Sequence, residues 1–353
     1  MRSHKRYQRG QMLVVMTFAM VTLLGAMALG TDVGVLYFNW MKLQKGADAA
    51  ALAGAGQYGP HTPPAPTCQW SAGSSAAQNA ACDYALSNGI KKSEIQSINA
   101  PAQNLPANSY VPTGGQTVQV LVKRTDIPIY FGRVLGLGKP SASVVATAVG
   151  PTPMQTLTRG LWPVGVQYPT SLTYGASMTL SEQAGTMAPG NWKWLDFPQC
   201  SPVGSNPPAT YNGGGVPNLV QNISYGSTCA YSVGGTVNPE PGAKGNSTNT
   251  ATAISNLIGV PPNTAGPSAP SNSNQISMSD RQLVIVPLVD WNGANGSSVA
   301  IPIKGFAAVW ITQLQGQGAN ITLTGQFVQV VDQYGRGGAS TNWGAFGAPF
   351  LVQ

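Results

Sequence analysis

The side chains best suited to chemistry are few: Cys68, Cys82, Cys200 and Cys229, the histidines His4 and His61, and eleven acids. A zinc or iron site needs clustered Cys and His ligands at short spacing. No two of these cysteines form a C-x-x-C pair, so no metal centre is expected. Cysteines in even number in an exported chain read instead as disulfides. Nearest-neighbour pairing, one of three connectivities, gives Cys68–Cys82 and Cys200–Cys229. A nucleophilic triad needs a histidine close to a serine and an acid. His4 lies in a basic N-terminal stretch and His61 in a proline-rich loop, and neither has evident partners. The string Gly54-Ala55-Gly56-Gln57-Tyr58-Gly59 matches G-x-G-x-x-G. It closes an alanine-rich helix instead of joining a strand to a helix, so it is not a dinucleotide loop. No catalytic residue, cofactor or small-molecule substrate is identified. Paired carboxylates acting on glycosides stay open as an alternative, although the acids show no cluster.

The elements that would carry these residues begin with a charge asymmetry. Residues 1–45 hold Arg2, Lys5, Arg6, Arg9, Lys42 and Lys45 against Asp32 alone, while the rest has 12 basic and 10 acidic residues. The body is nearly neutral, with no basic stripe of the kind that binds nucleic acid. Met12 to Gly30 is apolar except for Thr17 and Thr22. As a helix it spans about 28 Å, close to the roughly 30 Å hydrocarbon core of a bilayer. The cations Arg2, Lys5, Arg6 and Arg9 before it place the N-terminus in the cytoplasm and the body outside.

Ala26-Met27-Ala28 also fits a signal-peptidase site, so a cleaved signal is the rival to a retained anchor. Retention is favoured because the helical pattern does not stop. An apolar stripe continues through Leu36, Tyr37, Trp40, Leu43, Ala47, Ala50 and Gly54 at three-to-four spacing. One helix of about 45 residues is expected, the first half in lipid. Tyr37, Phe38 and Trp40 would form an interfacial aromatic belt. Asp32, at the outer interface, would have a structural role. Gly46 to Gly56 consists almost wholly of glycine and alanine. Such a surface permits close helix approach, with Ala47, Ala50 and Gly54 as the packing face.

Residues 9–55 resemble the N-terminal segment of the TadE/TadG-like family of tight-adherence (Flp) pilus-assembly proteins. The shared elements are Arg9-Gly10-Gln11, Asp32-Val33-Gly34, Tyr37, Leu43-Gln44 and Ala47 to Ala55. Weaker similarity continues through Val118–Gly150 and Asp280–Ile311. The resemblance implies a bacterial inner-membrane protein of pilus biogenesis, with one membrane-crossing helix and an exported head. Val15 stands where prepilin-type processing after Gly10 would require a glutamate. Prepilin cleavage and a core-pilin role are therefore not expected.

Downstream, residues 57–72 read as a proline-rich linker and Ala72–Ser87 as a helix ended by Asn88-Gly89. Ile95–Asn99 and Thr117–Val122 read as strands, Ile127–Leu135 as a short helix, and Ala142–Val149 as a strand. From Pro151 short apolar runs alternate with Gly, Pro, Asn and Ser. Strands are expected at Leu283–Leu288, Val299–Ile303, Ala307–Gln313 and Ile321–Val331, the last two as a hairpin. Helices are expected at Gly215–Ile223 and Thr248–Ile258. In "GNWKWLDF", Trp192, Trp194 and Phe197 are assigned to a strand with core packing. That stretch resembles a segment of longer members of the same family.

The expected fold class is α+β: a long transmembrane and stalk helix, a small pilin-like α+β head, then a β-rich domain. The divisions are a basic cytoplasmic tail (1–11), the transmembrane and stalk helix (12–56), an α+β exported domain (57–150) and a β-rich exported domain (151–353). The expected partners are the membrane and, through the stalk helix, other pilus-assembly proteins or a second copy. The expected location is the inner membrane, with the body in the periplasm or at the cell surface. The competing reading is an exported hydrolase or carbohydrate-binding protein acting through the β-rich domain.

Overall fold

A computed structural model describes the chain except residues 1–6, 61–63, 104, 106–108, 169–171, 182–193, 209–214, 241–246, 292–299, 317–321, 340 and 353. Helix α1 runs unbroken over Tyr7–Gly56, about 75 Å at 1.5 Å per residue. Its apolar stretch makes it long and apolar enough to cross a membrane. It holds no proline, and its Thr17, Thr22 and Thr31 hydroxyls donate to carbonyls four residues back. From Met12 to Thr31 nearly every side chain is exposed, whereas Leu43, Ala47, Ala50, Ala51 and Ala55 are fully buried. One helix thus has two environments.

Its distal half lies in the head. Helix α2 (Ala76–Ser87) begins four residues later than the sequence suggests. Ser75 forms a capping box, its hydroxyl accepting from the Gln78 amide while Gln78 Oε1 accepts from the Ser75 amide. Strands β1 (Ile95–Asn99), β2 (Thr117–Arg124) and β3 (Ala142–Val149) form an antiparallel meander. The helix expected over Ile127–Leu135 is only a 3-10 turn at Gly132–Leu135. Asp126 has φ +61°, Pro128 cannot donate a helical hydrogen bond, and buried Ile127 and Ile129 alternate with exposed neighbours as extended chain does.

The second unit adds strands β4 (Met154–Leu157), β5 (Val166–Gln167), β6 (Ser177–Ser181), β7 (Leu195–Asp196), β8 (Tyr231–Ser232) and β9 (Thr236–Pro239). Then come β10 (Leu283–Val289), β11 (Ile301–Gln315), β12 (Thr322–Val328), β13 (Val330–Asp332), β14 (Gly335–Gly337) and β15 (Ala345–Gly347); the last strand, β16 (Phe350–Val352), lies elsewhere. Helices α3 (Gly215–Tyr225) and α4 (Thr248–Ile258) match the expected pair. The main sheet has the order β5-β10-β11-β12-β6. Strand β10 is buried throughout because it separates two cores: Leu283, Ile285 and Val289 enter one, Val284, Val286 and Leu288 the other.

The two strands expected at 299–303 and 307–313 are one, β11, with Val299 outside the described residues. Gly305 reads as a break but serves as a close approach, with the Trp343 indole lying against its backbone. Strands β11 and β12 pair antiparallel as the expected hairpin. Strand β16, assigned by sequence to the second unit, pairs with β3 and completes the head sheet β1-β2-β3-β16.

Candidate functional site: the stalk helix seated in its head

The functional surface follows from residue size. Leu43, Ala47, Ala50, Ala51 and Ala55 of α1 share one core with Ala77, Ala81 and Ala85 of α2 and with Val118, Val120 and Val122 of β2. At Gly54 the backbones come close. A Cβ there would lie 2.8 Å from the Ala77 carbonyl oxygen and 2.9 Å from Val118 Cγ1. At Gly46 it would lie 2.5 Å from Ile90 Cδ1. The small residues therefore face the chain's own head. Ala49 is only partly buried. Tyr37 and Trp40, expected on the stripe, lie off it: they are exposed and stack with ring centroids 6.1 Å apart. The stripe passes instead through Asp32, Val35, Leu36 and Asn39.

Two polar locks fix the helix to the head on the side nearer its apolar half. At the first, Arg124 at the end of β2 makes a two-point ion pair with Glu94, Nε–Oε1 2.6 Å and Nη2–Oε2 3.0 Å, while Nη1 donates to Asn39 Oδ1 at 3.0 Å. Asn39 Nδ2 in turn donates to the Val35 carbonyl. The hydrogen bonds from Arg124 hold the Glu94 carboxyl below the usual range, against a smaller opposing effect of burial. At the second, Asp32 is buried. Its Oδ1 accepts from the Tyr130 amide at 2.7 Å, and its Oδ2 from Phe131 at 3.0 Å and Gly132 at 2.6 Å. Consecutive amides aimed at one carboxylate form an anion nest, and here the anion is the protein's own.

Cys68 and Cys82 are bonded, tying the segment before α2 to that helix, and Cys200 and Cys229 are bonded within the second unit. Asp83 works beside the first bridge. It accepts from the Thr67 hydroxyl and from the Thr67 and Cys68 amides. Burial raises its carboxyl's pKa, but these hydrogen bonds together outweigh that and hold it below the ordinary value. Arg2, Lys5 and Arg6 lie outside the described residues, and Arg9 lies in α1. Trp194 and Phe197 are fully buried beside β7, and Trp192 lies outside the described residues. Sequence reasoning missed both polar locks. The one local signal for the Asp32 lock was a single acid in an otherwise uncharged stretch beside the apolar run.

Fold and site define a protein with one membrane-length apolar helix whose distal half is the core helix of an α+β head. Residues 10–57 match the family model Tad, described as Flp pilus-assembly TadE/G-like, and residues 53–148 match Tad_C, described as Tad-like Flp pilus-assembly. Together the two matches cover residues 10–148, the helix and most of the head. No curated protein matches the chain. No solved structure matches it.

Proposed function

We propose that this protein is a membrane-anchored accessory protein of Flp pilus assembly that acts through protein–protein contacts, with no chemistry of its own. The observation that carries the reading is the shared helix: an exposed apolar half followed by a half buried in the head, inside the two matched segments. A helix so built transmits position rigidly from bilayer to head, because no loop intervenes between the two halves. The cations Arg2, Lys5, Arg6 and Arg9 keep the N-terminus in the cytoplasm, so head and second unit are exported. The small-residue face is occupied by the head itself, which leaves contacts with other pilus-assembly proteins to the lipid-level half of the helix and to the outer surfaces of the head and second unit. On this reading the chain divides into tail, anchor, head and β-rich unit, and Phe350–Val352, which pairs with β3, goes with the head.

The test is complementation in a host lacking this protein. The full chain restores piliation. Residues 57–353 exported behind a cleavable signal do not. Restored piliation by the helix-free form would reject the anchor as the working part. Unchanged piliation in the deletion host would reject the pilus role.

A further inference from the structure

The β2–β3 connection, residues 125–141, is anchored in the head core by Ile127, but its tip does not fold back onto the head. It descends along α1 toward the apolar half. Between them lies a groove of about 580 Å³ lined by Leu24, Met27, Ala28, Leu29, Phe131 and Val134, with little else polar than Thr31. The tip is apolar and outward-facing: Val134 is 84% exposed, Tyr130 62% and Leu137 57%. From Asp32 to Leu24 is eight residues, about 12 Å along the axis. A span of Met12–Gly30 fills the hydrocarbon core, so Leu24 to Leu29 lie within its outer leaflet. Side chains that share a groove with Leu24 and Met27 lie at the same depth.

We infer that the Tyr130–Leu137 tip is a second membrane-inserting element, whose groove against α1 is filled by acyl chains of the outer leaflet. Lipid is the occupant because five of the nine residues lining the groove lie within Met12–Gly30, so the groove is continuous with the lipid-facing surface of the helix. The flanking chemistry agrees. Arg133 and Lys139 are exposed on the same connection, placed to meet phosphate headgroups while exposed Tyr130 occupies the interface. The loop cannot simply swing away, because three of its amides are bound to Asp32 on the helix. Its occupation of lipid would fix the head's rotation about the helix axis as well as its height. The head would then present one defined face to the bilayer and the opposite face to its partners.

This inference rests on the membrane-anchored reading, and the experiment separates the two. Full-length protein with both disulfides oxidised is reconstituted in phosphatidylcholine–phosphatidylglycerol vesicles with a nitroxide on Val134→Cys, Val21→Cys or Ser87→Cys. Accessibility to oxygen, which partitions into lipid, is compared with accessibility to a water-soluble nickel chelate. The expected result is an oxygen-to-nickel ratio at Val134 close to that at Val21 and severalfold above that at the head position Ser87. A lipid-like ratio at Val21 with a water-like ratio at Val134 overturns the inference and leaves the anchor standing. A water-like ratio at both overturns the anchor too. Low accessibility to both agents at Val134 means a second copy covers the groove and also overturns the inference.

Discussion

Asp32 takes three amide donors from a loop about a hundred positions further along the chain. Asn at this position keeps the shape but turns one acceptor oxygen into a donor facing other donors. Losing a hydrogen bond to a charged group costs about 1.5–3 kcal/mol. Amide exchange at Tyr130–Gly132 in Asp32→Asn should therefore run roughly ten- to hundredfold faster than in wild type. Unchanged exchange would mean the loop is held by its apolar contacts. The acid's structural role is legible in the sequence, since a lone carboxylate beside a membrane span needs a reason. Its partners are not, because nothing local in "DIPIYFGR" announces an anion nest. Glu94 and Asp83 add a pH dependence. Both carboxyls are lowered in the folded head. Their stabilisation is complete above the unfolded values, about 4.3 and 3.9, and is lost as pH falls through the folded values. The head's melting temperature should be flat from neutral pH to about 5 and decline below it. In Glu94→Gln the decline should be shallower, and an identical acid profile would remove Arg124–Glu94 from the account.

At the scale of the element, α1 decides whether the alanine run is a fitted surface or merely a good helix former. Ala50 is fully buried in the head core, Ala49 is one residue around the helix and only partly buried, and Gly54 touches backbone. Overpacking costs typically about 1–3 kcal/mol. Ala50→Leu and Gly54→Val should therefore lower the melting temperature of the detergent-solubilised head, and Ala49→Leu should change it little. Equal stability in all three would make the run a matter of helix propensity alone. The helix was legible because a membrane-length apolar run passes, without a proline, into a stripe at three-to-four spacing. Its buried face was legible only where small residues mark it, from Leu43 onward. Nearer the membrane, Tyr37 and Trp40 fit the period yet face outward, because the head does not extend over that side of the helix. The Ile127–Leu135 helix failed for a related reason. Its apolar spacing serves two anchors, Ile127 and Ile129, and an exposed tip, a use that helical periodicity cannot distinguish from an amphipathic face.

For the whole molecule, the second unit is the part least readable from sequence. Of its strands the sequence shows mainly β10, β11 and β12, which are long and apolar; short ones such as β4–β6, β8, β9, β14 and β15 carry too few residues to show a period. Their order is not legible, because short strands from distant positions fill the sheet edges, and β16 crosses back to the head across a boundary that composition places at Pro151. The helix–head module lies in the matched segments and the second unit does not. The central claim is that α1 is retained whole, one half in the bilayer and the other in the exported head. The direct measurement is the N-terminal sequence and intact mass of the protein recovered from washed membranes of cells that also carry a periplasm-dependent reporter after Gln353. The account predicts an active reporter and a membrane-bound chain that still contains residues 12–30. A mature chain beginning at Leu29 and released with the soluble fraction would contradict it.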